Sequence, residues 1–148
     1  MSTGQSAASE SEQEQFVFHG TVLNISAIRA DIATGKLKPK SFPLKRDFIE
    51  EFATRVHGLD LAAPQATKTS MWSGVRAVDV HKVPDEAFNE PVIFAHLGKN
   101  KGLLDCDGDG VNYVLADGNK RLGKAFFTGR ESLDGCILSR AQTRKYIV

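Results

Sequence analysis

Residues 111–128 read VNYVLADGNKRLGKAFFT, and this stretch decides the fold. Before Asp117 the chain is a run of apolar and β-branched residues, whereas after it the apolar residues recur at helical spacing: Leu122, Ala125 and Phe126. The change predicts a strand over residues 111–116, a turn at Asp117-Gly118 and a helix over residues 119–128. A strand therefore passes through one tight turn directly into a helix.

Three cations fall near the start of this predicted helix: Lys120, Arg121 and Lys124. Positive charge there opposes the helix macrodipole, which favours negative charge at the N-terminus, so folding alone gives no reason for them. A bound anion would give one, because backbone N–H groups at a helix start and nearby Lys and Arg side chains all bind phosphate. Gly118 would let the ligand approach the backbone closely. Asp117 would orient Arg121 or share a Mg²⁺ ion with the bound phosphates.

The predicted phosphate-binding residues are accordingly Asp117, Gly118, Asn119, Lys120, Arg121 and Lys124. If Arg121 binds phosphate, its replacement by alanine should weaken ligand binding and leave the fold intact. The alternative is a solvated helix start in which Asp117 caps the helix and offsets the lysines, or in which Arg121 pairs with an acid and braces the fold. No catalytic residue and no metal ligand is assigned.

The remaining patterns predict an α+β fold with a small mixed sheet and about three helices. Strands are expected at residues 91–97 and 136–138, and the first should pair with residues 111–116 as a hairpin. Residues 15–28 are expected to be extended, and residues 29–46 to form a basic loop. Val78 and Val80 are expected in a short strand.

Capping signals predict the other two helices. Asp47 with Glu50 three residues later predicts a helix over residues 47–57, which Gly58 would end in the left-handed conformation. Ser139 with Gln142 predicts the start of a final helix. In the same way, Gly129 is expected to end the helix that follows Gly118.

The composition is that of a globular protein, with 148 residues of which 41% are hydrophobic and 25% charged. Residues 1–14 are rich in Ser, Glu and Gln and are expected to be a disordered tail, and residues 15–148 a single domain. No segment predicts a membrane span or a secretory signal. Two cysteines, Cys106 and Cys136, give no disulfide framework, so a cytoplasmic location is expected.

Basic residues are concentrated in residues 29–46 and again after Gly118. Such segregation is compatible with a polyanionic partner, although charge alone favours an ordinary solvated surface. The single tryptophan, Trp72, is expected to be a packing residue.

Residues 105–110 read DCDGDG and imitate the first half of an EF-hand calcium loop. That loop needs a hydrophobic residue at its eighth position and a bidentate acid at its twelfth, where this chain has Asn112 and Ala116. A tight hairpin turn is therefore favoured over a calcium site. The four histidines show no metal-ligand spacing.

Asp117-Gly118-x-x-Arg121 opening a helix after a strand, with Ala125 one turn on, resembles the ParB/sulfiredoxin-like superfamily. That group includes the partition protein ParB, sulfiredoxin, free-serine kinases and DNA-associated proteins of plasmids and phages. The likeness can be laid over residues 20–146, with residues 59–89 as an insertion, but it is specific only around the motif. It implies the superfamily's fold and a nucleotide-phosphate cradle made by Gly118 and Arg121.

Two residues of the motif depart from the superfamily's pattern. Asn119 stands where sulfiredoxin has its reactive cysteine, so reduction of sulfinic acids should be absent. Lys120 stands where free-serine kinases have a histidine, so no catalytic role is carried over. The helix-turn-helix domain that ParB proteins add is not expected within these 148 residues.

The resemblance implies nucleotide binding, with or without slow triphosphate hydrolysis or nuclease activity. It also implies a DNA-linked role such as plasmid or phage maintenance, transfer or defence. A nucleoside triphosphate would bring Mg²⁺ with it. Two alternatives stay open: phosphotransfer to a small metabolite, and a non-catalytic interaction or inhibitor protein whose basic surface binds nucleic acid or a protein partner.

Overall fold

The computed structural model describes residues 14–66 and 75–148. Helices and strands both occur in this part of the chain, which confirms the predicted α+β class. Its strands are β1 (Gln15–Phe18), β2 (Thr21–Asn24), β3 (Lys40–Ser41), β4 (Leu44–Lys45), β5 (Val92–His96), β6 (Tyr113–Asp117), β7 (Ser132–Leu133) and β8 (Gly135–Leu138). Its α-helices are α1 (Ile25–Ala33), α2 (Arg46–Arg55), α3 (Ala77–Val80), α4 (Asn119–Phe127) and α5 (Arg140–Arg144), and a 3-10 helix covers Asp85–Asn89. Within the described residues, every helix falls short of the length and apolar character that a membrane span requires.

The strands form one sheet of four and two sheets of two. The larger sheet has the order β3-β8-β5-β6, while β1 pairs antiparallel with β2 and β4 with β7. All residues of β6 and β8, and all but the last of β5, are buried, because these strands are almost wholly apolar. The predicted strands at residues 91–97 and 136–138 are confirmed as β5 and β8. The predicted position of β5 beside β6 is confirmed as well.

The predicted passage from strand to helix is also confirmed. β6 ends at Asp117 and α4 begins at Asn119, so Gly118 alone makes the turn. The strand takes in Asp117, which the sequence placed in the turn. Gly129, which was predicted to end the helix, follows it in the left-handed conformation with a φ of 72°.

The prediction of an extended chain over residues 15–28 is wrong after Asn24. Helix α1 begins at Ile25, because the Asn24 side chain accepts the Ala27 N–H at 3.0 Å as an N-cap. The β-branched isoleucines favoured a strand, but their spacing of three buries both Ile25 and Ile28 on one face of a helix. The predicted basic loop is wrong as well, since α1, β3, β4 and the start of α2 occupy much of residues 29–46.

Helix α2 is confirmed, but its predicted capping box is wrong. The N-cap residue is Lys45, which makes no side-chain cap hydrogen bond, and Asp47 lies inside the first turn. Arg46 begins the helix instead, and its guanidinium donates to three carbonyl oxygens near the end of α4: those of Ala125 (3.1 Å), Phe126 (2.9 Å) and Arg130 (3.2 Å). We call these contacts the Arg46 clamp. The Ala125 and Phe126 carbonyls also accept backbone N–H groups, from Arg130 and Gly129, so the guanidinium adds a charge-assisted hydrogen bond to each and places a cation at the negative end of the helix macrodipole.

Other capping predictions hold. Gly58 follows α2 with a φ of 68°, and Ser139 with Gln142 forms the predicted capping box of α5. The predicted short strand at Val78 and Val80 is wrong, because both residues belong to helix α3. Burial of Ala77 and Val80, three positions apart, favours the helical turn.

The described residues divide into two compact units. The first consists of residues 14–40, 94–117 and 137–148, and the second of residues 41–66, 75–93 and 118–136. One domain over residues 15–148 stays a prediction. Trp72 and residues 1–13 of the predicted tail lie outside the described residues.

In the first unit, α1 is fixed by the end of the chain. The Tyr146 hydroxyl donates to Asp31 of α1 at 2.6 Å. The Asn24 N–H donates to the Tyr146 carbonyl at 2.9 Å, and the Val148 N–H to the Val22 carbonyl at 2.8 Å. Helix α1 is therefore held both at its N-cap and at Asp31, near its C-terminal end.

Candidate anion-binding site

The turn into α4 depends on Gly118, which has φ 98° and ψ 18° and is the N-cap residue of the helix. Its carbonyl oxygen accepts the Leu122 N–H at 2.9 Å. A Cβ at this position would overlap Cγ1 of Val92, so any other residue would be both strained and obstructed. Packing and backbone conformation thus require glycine here whether or not a ligand approaches.

Asp117, the last residue of β6, is buried, and its two carboxylate oxygens accept hydrogen bonds from Arg29 of α1. Nε of Arg29 lies 2.8 Å from Oδ2, and Nη2 lies 2.6 Å from Oδ1. The hydrogen bond with Asp117 raises the pKa of Arg29 above its usual value, so the guanidinium is a cation at every pH of interest. The sequence analysis predicts a different role for Asp117, toward Arg121 or Mg²⁺.

Arg29 has a second carboxylate partner, Glu14. Nη1 of Arg29 lies 2.7 Å from Oε1 of Glu14, and Nη2 lies 3.4 Å from Oε2. Glu14 is the last residue of the predicted disordered tail, yet the structure describes it and places its backbone against α1. Its carbonyl oxygen accepts the N–H groups of Ile25 (2.9 Å) and Ser26 (3.3 Å).

Two of the three cations at the start of α4 bind backbone carbonyl oxygens of residues 83–90. Arg121 is only 8% exposed, and its Nη1 donates to the Glu90 carbonyl at 2.9 Å and to the Ala87 carbonyl at 3.4 Å. Nζ of Lys124 donates to the Val83 carbonyl at 2.7 Å. These carbonyls lie around the 3-10 helix, so Arg121 and Lys124 hold that segment against α4.

Lys120 differs from both. Its side chain is exposed and forms no ion pair with any residue that the structure describes. The first turn of α4 contains no acidic residue that would neutralise it. Asn119 beside it is half-buried. Among the predicted phosphate ligands, Lys120 is therefore the charged side chain best placed to meet a ligand from solvent.

Sequence reasoning missed the contacts of Arg29 with Asp117 and Glu14, all three of which belong to the first unit. The sequence analysis predicts Arg29 in a basic loop and Glu14 in the disordered tail. The N-cap signal of Asn24, followed by Ile25 and Ile28, could have placed Arg29 on a helix. Its pairing with Asp117, 88 residues away, has no local signal.

The acidic loop at residues 105–110 is closed by its own side chains. Asp105 accepts the Gly108 N–H at 2.6 Å, and Asp107 accepts the Asp109 N–H at 3.2 Å and the Tyr113 hydroxyl at 2.5 Å. Within residues 14–66 and 75–148 there is no cluster of three His, Cys, Asp or Glu side chains that could hold a metal ion. Burial, with the charges of Asp107 and Asp105 beside it, raises the pKa of Cys106 to about 12, so its thiol stays protonated.

Comparisons with protein-family models, with curated proteins and with solved structures found no match to this chain. The resemblance to the ParB/sulfiredoxin-like superfamily therefore stays a prediction, carried by the motif from Asp117 to Ala125.

Proposed function

We propose that the chain binds a phosphate-bearing ligand, and specifically a nucleotide, at the start of α4. The observation that carries the proposal is Lys120: an exposed lysine in the first turn of a nine-residue helix whose first turn has no acidic residue. The helix macrodipole favours an anion at this end, and Lys120 adds a cation that can reach it. The resemblance of the Asp117–Ala125 motif to nucleotide-binding proteins supports a nucleotide as the ligand class.

The neighbouring residues position the site. Arg121 and Lys124 bind the carbonyl oxygens of Glu90 and Val83, which fixes the first turns of α4. Both carboxylate oxygens of Asp117 already accept hydrogen bonds from Arg29, so a Mg²⁺ ion would enter with the ligand, bound mainly by phosphate oxygens and water. Slow hydrolysis of the triphosphate and a DNA-linked role, such as plasmid or phage maintenance, transfer or defence, belong to the same proposal.

A thermal-shift and calorimetry screen over ATP, CTP, GTP and ADP, with and without Mg²⁺, tests the proposal. A nucleotide present at about a hundred times its Kd should stabilise the fold by about 2.7 kcal/mol. Lys120→Ala should weaken binding about five- to tenfold, because one charge-assisted contact at an exposed site is lost. The matched control is Lys45→Ala, since Lys45 is another exposed lysine of the second unit. Equal effects of the two substitutions, or no stabilisation by any nucleotide, would contradict the proposal.

A second function, that of a non-catalytic protein binding a polyanion, is favoured by a specific arrangement in the first unit. Nε2 of Gln142 donates to the Lys38 carbonyl at 3.1 Å, which places the basic segment of residues 36–40 beside α5. The Arg140 guanidinium carbon lies 3.4 Å from the position of a Cβ on Gly98, next to Lys99. We define the basic face as the exposed cations of these segments: Lys36, Lys38, Lys40, Lys99, Lys101, Arg140 and Arg144. None of them forms an ion pair with a described residue, and cations of this kind are available to phosphate groups of a nucleic acid.

A further inference from the structure

The guanidinium of Arg29 has two edges, and the structure uses them differently. Nε and Nη2 face Asp117, which is only 6% exposed and accepts both hydrogen bonds. Nη1 and Nη2 face Glu14, whose side chain is 44% exposed. The edge that faces Asp117 fixes the orientation of the forked guanidinium. The outer edge presents two N–H donors to the exposed carboxylate of Glu14.

The outer edge therefore has the geometry of a site for an oxyanion. A planar guanidinium held by a buried carboxylate is pre-organised, so little side-chain entropy is lost when a second anion binds. The Arg29 side chain is itself 36% exposed, which leaves a path from solvent to this edge. Two oxygens of a phosphate group match the two donors as well as a carboxylate does, and they carry more negative charge.

From this geometry we infer that Arg29 binds a phosphate group, free or at the end of a larger ligand, and that Glu14 occupies the position of that group when no ligand is bound. The Glu14 backbone is anchored separately: its carbonyl accepts two N–H groups of α1, and its own N–H donates to Oγ of Ser26 at 2.9 Å. The carboxylate can thus turn away into solvent while the chain stays in place. Glu14 acts as a competitor, and its exposed ion pair is weak enough for a ligand to replace it.

The inference does not depend on nucleotide binding by Lys120, because it concerns residues of the first unit only. It is tested by calorimetry on the full chain with inorganic phosphate and, separately, ATP as probes. Glu14→Gln keeps the size of the side chain and removes its charge, and we expect it to tighten binding about five- to tenfold. Arg29→Lys keeps the positive charge and removes the fork, and we expect it to weaken binding by tenfold or more.

The double variant Glu14→Gln with Arg29→Lys separates competition from bulk charge. If Glu14 competes with phosphate for the Arg29 guanidinium, Glu14→Gln should not raise the affinity for phosphate in a protein that already carries Arg29→Lys. The matched control is Glu131→Gln, which makes the same change of charge at an exposed glutamate of the second unit. An equal gain from Glu131→Gln, or no gain from Glu14→Gln, would overturn the inference.

If Arg29→Lys fails to fold, Glu14→Gln alone decides, because it leaves the pair between Arg29 and Asp117 intact. If Glu14→Gln tightens phosphate binding while Lys120→Ala changes nothing, Arg29 is the anion site and the function proposed for Lys120 is wrong. The reverse result would refute the role of Arg29 and support that of Lys120. A gain with phosphate but not with ATP would identify a small free anion as the ligand.

Discussion

His57 is a fully buried histidine at the end of α2, with its ring 5.1 Å from that of Phe52. Burial lowers its pKa from an ordinary 6.5 to about 4, because the charged imidazolium would lose its hydration. Between these two pH values the unfolded chain binds a proton that the folded chain does not. The free energy of unfolding must therefore fall as the pH falls through this window.

We predict that His57 alone contributes a loss of about 2 kcal/mol in the free energy of unfolding between pH 7 and pH 5. His57→Gln should be less stable than the wild type at pH 7 but should lose less stability on acidification. Urea denaturation at the two pH values measures both. His19→Asn is the control, since His19 is exposed and asparagine tolerates its φ of 47°. An unchanged pH dependence in His57→Gln would show that other groups cause the acid sensitivity.

At the scale of elements, the contact between α4 and residues 83–90 changes what Arg121 is expected to do. The sequence predicted that Arg121→Ala would leave the fold intact, whereas the structure gives the guanidinium two carbonyl acceptors and a buried position. We now expect Arg121→Ala to lower the free energy of unfolding by about 1–3 kcal/mol, with or without nucleotide. For a chain of this size that is a fall in Tm of roughly 2–4 °C for each kcal/mol.

Lys120→Ala is the control for Arg121→Ala, because Lys120 lies in the same turn but is exposed. Its stability should stay within about 0.5 kcal/mol of the wild type. Melting curves of both variants, with and without ATP and Mg²⁺, give the comparison. Arg121→Ala with unchanged Tm and no ligand-induced shift would restore Arg121 as a phosphate ligand.

The elements that were predicted correctly are those with signals inside the element itself. Ser139 with Gln142, the left-handed Gly58, and the change of apolar spacing at Asp117 all involve residues within a few positions of one another. Helix α1 was missed because its isoleucines have the β propensity of a strand, and burial against the rest of the unit overrides that propensity. The start of α2 was misplaced because Arg46 finds its acceptors on α4, far along the chain.

Less of the candidate site could be predicted from the sequence, because its contacts join residues that lie far apart along the chain. Residues 117–124 were identified as a strand-to-helix turn rich in cations, and the turn has that form. Which cations face solvent could not be predicted, because the acceptors of Arg121 lie 31 and 34 residues earlier. The pairing of Arg29 with Asp117 is a tertiary contact of the same kind, without a pattern in the local sequence.

At the scale of the whole molecule, the charges of the basic face make a prediction about nucleic acids. If the face binds phosphates, the affinity for a duplex DNA of arbitrary sequence should fall steeply with salt, with a slope of log K against log[salt] of about −0.9 for each phosphate contacted. Replacing Lys38 and Lys40 by glutamine should make that slope shallower by the amount expected for the loss of about two phosphate contacts. Fluorescence anisotropy between about 50 and 200 mM salt measures it.

Lys82→Gln is the control for this experiment, because Lys82 is exposed but belongs to the second unit and lies 3.9 Å from Asp79. It should leave the slope unchanged. No binding of DNA at low ionic strength would remove nucleic acid as a direct partner, and the basic face would then need an acidic protein as its ligand. Strong preference for one DNA sequence would also contradict binding through phosphates alone.

The Arg46 clamp has a consequence for the rates of folding and unfolding. Its hydrogen bonds join residues 79 to 84 positions apart, so a long loop must close before any of them can form. Contacts of this kind are expected to be absent from the folding transition state and to form only as the chain reaches its native structure. The clamp would then have little effect on the rate of folding, but it would slow unfolding. A single arginine would in this way lengthen the lifetime of the folded second unit, which is the property that decides how long a protein resists irreversible unfolding.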